Sequence, residues 1–172
     1  NSWWLDPMFR GAYPEDGMRT FADALPPIRS GDMEIISQPL DFFGMNLYQG
    51  TFVRADRSGA AVDVGFETGH PMTANEWYVV PEVLYWATKF FYERYGKPIY
   101  VTENGLSNID WVSLDGKVHD PNRIDFTTRY LCNLKRACAD GVDVRGYFHW
   151  SIMHNFEWAE GYEHRFGLIY VD

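Results

Sequence analysis

The stretch that decides the fold reads Pro98-Ile99-Tyr100-Val101-Thr102-Glu103-Asn104-Gly105. The β-branched and aromatic residues from Ile99 to Thr102 predict a short buried strand, which ends at Glu103 before a sharp turn at Gly105. Ligands bind at the carboxyl ends of strands in parallel α/β sheets, so a carboxylate there can serve as nucleophile, base or metal ligand. The alternative is a strand-end glutamate that only caps the following loop.

On the amino-terminal side, a first strand is predicted over residues 41–48. Its apolar character is typical of a strand buried on both faces, and its polar residues Asn46 and Tyr48 fall on one side of the carboxyl end. These two side chains face either a site or a satisfied hydrogen-bond network. Residues 52–75 are long, polar and glycine-containing, which predicts a surface excursion or a hairpin. Before this strand, the first 30 residues look irregular, and Asp6-Pro7 is expected to break regular structure.

Two amphipathic helices flank the central strand. The first is predicted to begin at Pro81, and the second begins at Asp120-Pro121 and ends at Gly141. We expect the second helix to bury a stripe that contains Ile124, Thr127, Leu131, Leu134 and Cys138. A third strand over 144–150 completes a βαβαβ order, which predicts an α/β fold with a parallel sheet.

Composition limits the class of function. The 172 residues carry a net charge of −9, which argues against a nucleic-acid partner and against an anionic membrane surface. Aromatic residues make up 17% of the chain, enough for a core and for stacking surfaces that suit sugars. No apolar run reaches the length of a membrane span, and the start has no signal-peptide layout, so we expect a cytoplasmic protein without a membrane partner.

The cysteines and histidines suggest neither a disulfide nor a metal site. Cys132 and Cys138 fall on different faces of the second helix and are expected to be buried thiols, which suits a cytosolic protein. The five histidines show no metal-ligand spacing, so we predict no metal and no other cofactor.

Polar and aromatic side chains follow all three predicted strands. Asn46 and Tyr48 end the first, Glu103 and Asn104 end the second, and Trp150 opens a segment with Asn155, Glu157 and Trp158. The carboxyl ends of parallel strands lie on one face of the sheet, so these groups are expected to converge on one site.

The motifs themselves resemble glycoside hydrolase family 1, the β-glucosidase family. The similar stretches are Thr102-Glu103-Asn104-Gly105, the run from Trp150 to Tyr162, Arg165-Phe166-Gly167-Leu168 and the strand from Asp41 to Tyr48. The resemblance runs over the whole chain and implies a (β/α)8 TIM barrel that hydrolyses terminal β-D-glycosides with retention, through a covalent glycosyl-enzyme.

Site roles follow from the resemblance, residue by residue. It implies that Glu103 is the nucleophile, and that Tyr48 donates its hydroxyl to Glu103. The resemblance also implies substrate contacts for Asn46 beside the acid/base, Glu157 on sugar hydroxyls, Trp150 under the sugar ring, Trp158 as a ring N–H donor, Phe166 as a pocket wall and Trp77 facing the aglycone. One local departure is His154, where the family usually has Asp at a position that need not touch substrate.

The resemblance also shows what is missing. Retaining hydrolysis needs two carboxyls about 5 Å apart, and the family's Asn-Glu-Pro acid/base motif is absent. The order of elements matches barrel strands 6 to 8 with their intervening helices, so we expect residues 1–172 to be one domain, a carboxyl-terminal portion of the barrel that is incomplete alone. Its expected partners are a β-glucoside or related oligosaccharide, and the missing barrel half or copies of itself. The alternative is a non-catalytic carbohydrate-binding or self-associating fragment. Glucoside, galactoside and fucoside preference stays open.

Overall fold

The computed structural model describes all 172 residues. Helices and strands alternate along its central part. The elements are α1 Ser2–Arg10, α2 Glu15–Thr20, α3 Asp32–Ile36, β1 Phe43–Asn46, β2 Val53–Ala55, β3 Ala61–Asp63, α4 Val83–Tyr95, β4 Ile99–Asn104, α5 Pro121–Ala139 and β5 Val144–His149, with short 3-10 turns at Ala22–Ala24 and Trp158–Glu160.

Three strands form one parallel sheet in the order β1-β4-β5. Phe43 lies opposite Ile99 and Asn46 opposite Glu103, so the carboxyl ends of β1 and β4 are level. The predicted βαβαβ order is therefore confirmed. The predicted excursion between β1 and α4 contains an antiparallel hairpin made of β2 and β3.

The core lies between one face of this sheet and the helices α4 and α5. Phe43, Met45, Ile99 and Val101 point into it with exposures of at most 8%. The opposite face is open, so β1 alternates between buried and exposed residues and is not buried on both faces as expected. Phe42 and Phe148 beside that open face are 51% and 57% exposed. The three strands form an open sheet and do not close into a barrel.

Helix α5 has the predicted start but buries a different stripe. The Asp120 carboxylate accepts the backbone N–H of Arg123 as an N-cap, and Pro121 occupies the first turn. The buried positions are Arg123, Phe126, Tyr130, Leu134 and Ala137. The expected stripe was therefore wrong at Ile124, Leu131 and Cys138, because the stacked rings of Phe126 and Tyr130 turn the aromatic face inward. Both cysteines are exposed, which also contradicts the buried thiols expected.

The amino terminus is more regular than predicted. Pro7 lies inside α1, so the expected break at Asp6-Pro7 is wrong. Asp6 accepts two hydrogen bonds from Arg94 and one from the Tyr95 hydroxyl, which ties α1 to the end of α4. No helix of the chain is both long and apolar enough to cross a membrane.

Candidate active site

Tyr48 and Glu103 meet where β1 and β4 end. The Tyr48 hydroxyl donates to Glu103 Oε2 at 2.7 Å, and Glu103 Oε1 has no hydrogen bond within the protein. Burial, and then the bond to Glu103, raises the pKa of Tyr48 well above its usual range, so its hydroxyl keeps the proton that it donates. Glu103 thus has one oxygen fixed and one free to react.

Asn46 lies opposite Glu103 in the sheet but is separate from this pair. Its Oδ1 accepts the Thr102 hydroxyl at 2.7 Å, and its side chain lies at the open face of the sheet. Asn104, the other polar residue at the end of β4, is fully buried in a satisfied network. Its Nδ2 donates to the Leu47 carbonyl and its Oδ1 accepts from Tyr147. Asn104 therefore holds the ends of three strands together.

The end of β5 brings Trp150 and Glu157 to the same place. The backbone N–H of Trp150 donates to the Asn104 carbonyl at 2.9 Å. A Cβ on Gly105 would lie 1.8 Å from the Trp150 carbonyl oxygen, so only glycine permits this approach. Trp150 Nε1 donates to Glu157 Oε1 at 2.8 Å, and Asn155 Nδ2 donates to the same oxygen. Glu157 Oε2 has no hydrogen bond within the protein and can accept from a ligand.

Aromatic rings form the remaining walls. The Trp77 ring lies 5.1 Å from that of Tyr48 and 6.3 Å from that of Phe166. Phe166 is 3% exposed, whereas Trp158 is 88% exposed at the rim. Flat apolar faces beside hydrogen-bonding carboxylates are the combination that a sugar ring needs.

One cavity of about 470 Å³ joins these groups. Among the predicted site residues, it is lined by Tyr48, Trp77, Glu103, Trp150, Glu157, Trp158 and Phe166. Asn46 does not line the cavity. Four lining residues were missed, namely Asn75, Ala159, Glu160 and His164. The last three lie in the stretch that follows Glu157, but nothing in their spacing marks them, and Asn75 is one polar residue in a long polar loop.

A larger cavity of about 660 Å³ lies between the loop before α4 and the start of α5. It contains none of the predicted site residues, and its carboxylates Glu82 and Asp125 face no tyrosine or tryptophan donor. We therefore place the chemistry in the smaller cavity. No group of three or more His, Cys, Asp or Glu side chains is arranged to hold a metal ion.

His154 lies behind the cavity. Its Nδ1 accepts the backbone N–H of Gly167 at 3.0 Å, and its Nε2 lies 3.6 Å from Asp110 Oδ2. A Cβ on Gly167 would lie 2.5 Å from the His154 backbone nitrogen, so the two segments touch closely. Burial, followed by the charge of Arg165, lowers the pKa of His154. The neutral ring holds the segment that carries Glu157 and does not line the cavity.

Comparison with known proteins agrees with this geometry. The family model described as glycosyl hydrolase family 1 matches residues 1–172. A 1,4-beta-D-glucan glucohydrolase of Thermotoga neapolitana is 45% identical over 98% of the chain, and beta-glucosidase 4 of Oryza sativa subsp. japonica is 39% identical over 99%. The chain covers 40% and 39% of these proteins, so it spans about two fifths of the length of its relatives.

A solved structure shows the same similarity in three dimensions. The beta-glucosidase from Thermotoga maritima in complex with castanospermine matches with a TM-score of 0.86 and 42% identity, over 99% of this chain and 39% of that one. The similarity supports the expected relationship to TIM-barrel proteins. This chain forms an α/β part of such a barrel and does not close one. With a family match over its whole length, the chain belongs to glycosyl hydrolase family 1.

Proposed function

We propose that this chain supplies the nucleophile and the sugar-binding residues of a retaining β-glycosidase that acts on terminal β-D-glycosides such as β-glucosides. Membership of glycosyl hydrolase family 1 and the names of its glucosidase relatives support the activity. In this proposal residues 1–172 form one domain, the carboxyl-terminal portion of the barrel with strands 6 to 8. The open face of the three-stranded sheet and the two fifths coverage of the relatives support an incomplete barrel, and the βαβαβ order of the elements is what supports strands 6 to 8.

The observation that carries the proposal is the contact between Tyr48 and Glu103. A phenol that keeps its proton donates to one carboxylate oxygen at 2.7 Å, which stabilises the anion and fixes its direction. The other oxygen has no partner in the protein, and the cavity that Glu103 lines also holds two further carboxylates, Glu157 and Glu160, and several aromatic rings. A carboxylate that only capped a loop would instead accept hydrogen bonds from backbone N–H groups. The Glu103 carboxylate accepts no backbone N–H.

The reaction follows from this arrangement. Glu103 Oε1 attacks the anomeric carbon and forms an ester-like bond to the sugar, while the bond to the leaving oxygen breaks and its electron pair leaves with that oxygen. A general acid protonates the leaving oxygen. Water, deprotonated by the same group, then attacks the anomeric carbon and releases Glu103, which gives net retention.

The remaining predicted residues bind the sugar in this proposal. Glu157 Oε2 accepts from ring hydroxyls, while its Oε1 is held by Trp150 and Asn155. Trp150 stacks on the ring, Phe166 walls the pocket, and Trp158 adds an N–H donor at the rim. Trp77 faces the aglycone. Asn46 would act beside the acid/base, on the open face of the sheet where the rest of the barrel would approach.

In this proposal the acid/base comes from outside residues 1–172. The chain has no Asn-Glu-Pro motif, and the cavity's other carboxylates are Glu157, which is held by Trp150, and Glu160, which lies 3.6 Å from His164. The rest of the barrel is the expected source, with a second copy as the alternative. Cytoplasmic location and the absence of nucleic-acid or membrane partners stay predictions from charge and composition.

The test is covalent labelling with an activated 2-fluoro-glucoside, whose reactive leaving group needs no acid. We expect intact-mass spectrometry to show one added fluoroglucosyl group and peptide mapping to place it on Glu103. Glu103→Gln should abolish labelling, whereas Glu93→Gln, an exposed substitution on α4, should label at the parent rate. Labelling that persists in Glu103→Gln would refute the assigned nucleophile.

A second candidate is a non-catalytic carbohydrate-binding or self-associating module. The missing acid/base motif and the exposed Phe42 and Phe148 favour it. It predicts that a glucoside quenches the fluorescence of the cavity tryptophans although Glu103 is never labelled. Concentration-dependent mass in sedimentation experiments would identify self-association.

A further inference from the structure

The turn between Thr73 and Trp77 is fixed to the segment that follows β4. Thr73 Oγ1 accepts the backbone N–H of Trp77 at 3.1 Å, and the Trp77 carbonyl accepts the N–H of Thr73 at 2.8 Å. The backbone N–H of Ala74 donates to the carbonyl of Ser107, a residue that is 1% exposed. The turn is therefore held against the segment that directly follows β4, the strand that presents Glu103.

Asn75 lies at the centre of this turn, and its amide has a defined orientation. Its Oδ1 accepts the Thr73 hydroxyl at 2.6 Å and also the Ser107 hydroxyl. The Thr73 hydroxyl already accepts the backbone N–H of Trp77, and the Ser107 hydroxyl already accepts the backbone N–H of Asn75. Each hydroxyl therefore uses its own proton to donate to Asn75 Oδ1. The oxygen of Asn75 is thus fully used, and its Nδ2 group has two N–H donors without a protein partner.

The unpaired donor group belongs to a residue that lines the Glu103 cavity. Asn75 and Trp77 form one wall of it, where Trp77 packs against Tyr48. Glu157 stands on a different wall, formed by the segment after β5. The wall with Glu157 therefore offers an oxygen that can accept a hydrogen bond from a ligand hydroxyl, and the wall with Asn75 offers N–H groups that can donate to one. The cavity that both walls border has a volume of about 470 Å³, within the range of small-molecule sites.

We propose that Asn75 is a specificity-determining residue that donates from Nδ2 to a hydroxyl oxygen on the leaving-group side of the substrate. The inference rests on the proposed function, which puts the sugar that is transferred at Glu157 and the leaving group at Trp77. The favoured substrates are then β-linked disaccharides, whose leaving group is itself a hydroxylated ring, over aryl glycosides. A rigid, unpaired donor discriminates because a leaving group without a hydroxyl leaves it unsatisfied.

The experiment measures the affinity of cellobiose and of phenyl β-glucoside by calorimetry. It uses the complete natural polypeptide that contains these residues, with Glu103→Gln present so that neither ligand is consumed. We expect Asn75→Ala to weaken cellobiose binding about tenfold, the loss typical of one hydrogen bond, and to weaken phenyl glucoside binding several-fold less. Ser107→Ala is the companion variant, because it removes one of the two hydroxyls that orient the Asn75 amide but keeps Nδ2.

The outcomes separate this inference from the function on which it rests. Ser107→Ala should weaken cellobiose binding less than Asn75→Ala does, because the Thr73 hydroxyl still holds Oδ1, and it should leave phenyl glucoside binding unchanged within about twofold. Equal losses for the two ligands in Asn75→Ala would overturn the role of Asn75, even if Glu103 is labelled by the fluoro-glucoside. No binding of either ligand by the protein with Asn75 intact would also overturn it, and failed labelling of Glu103 would show that the proposed function fails as well.

Discussion

Arg123, in the first turn of α5, is the charged side chain whose removal we expect to destabilise the fold most. Its side chain is 2% exposed and binds the carboxylate of Asp110 with both terminal nitrogens, at 3.0 and 2.7 Å. The same guanidinium donates to Asp120 at 2.6 Å and to the carbonyl of Arg165. It therefore joins the loop after β4, the start of α5 and the segment before Phe166.

The perturbation is Arg123→Met, which keeps most of the volume and removes the charge. Asp110, with a side chain only 3% exposed, would lose its counter-charge inside the protein. Removing one partner of a buried ion pair costs about 3–5 kcal/mol, a large share of the ~5–15 kcal/mol that stabilises a typical domain. At an m-value of about 2 kcal/mol/M, the urea midpoint should fall by roughly 2 M.

The assay is equilibrium urea unfolding followed by tryptophan fluorescence. Arg129→Met on the same helix is the matched control, because Arg129 and Asp125 pair at the surface with exposures of 62% and 63%. It should cost at most about 0.5 kcal/mol. Adding Asp110→Asn to Arg123→Met should recover part of the loss, since no buried charge is then left unpaired. A loss in Arg123→Met no larger than in the control would refute the reasoning.

Two further outcomes are expected at the site. Tyr48→Phe removes a charge-assisted hydrogen bond to the Glu103 carboxylate, which is worth about 1.5–3 kcal/mol. Labelling of Glu103 should therefore slow by roughly 10- to 100-fold. A labelling rate within about twofold of the parent would contradict the role of this contact. The lowered pKa of His154 means that the unfolded chain binds the proton more readily, so stability should fall as pH drops below about 6.5. His154→Gln should reduce that fall between pH 7 and 5 in unfolding experiments, and an unchanged slope would exclude this role.

Local patterns were sufficient for the three parallel strands and the two long helices, and they named most of the residues that line the candidate cavity. The apolar run before Glu103 and the Asp120-Pro121 helix start depend on near neighbours in sequence, so they could be predicted. The predicted convergence of strand ends also follows from topology alone, because parallel strands place their carboxyl ends together. Seven of the eight predicted site residues line one cavity. Asn46 is the exception, since its amide oxygen is bonded to Thr102 at the open face of the sheet.

Predictions failed where partners distant in sequence decide the outcome. Periodicity placed Ile124 and Cys138 inside, but Arg123 can be buried only because Asp110 comes from another loop. Pro7 lies within α1, and the Asp6 side chain before it is held by Arg94, 88 residues away.

The sequence by itself determined the family, the parallel strand order and the carboxylate that ends β4, because these are written in contiguous motifs and local periodicity. Only the tertiary structure decided which oxygen of Glu103 is free, which way the Asn75 amide points and why His154 is neutral. Each of those properties depends on hydrogen bonds and burial between segments that meet in space and not along the chain.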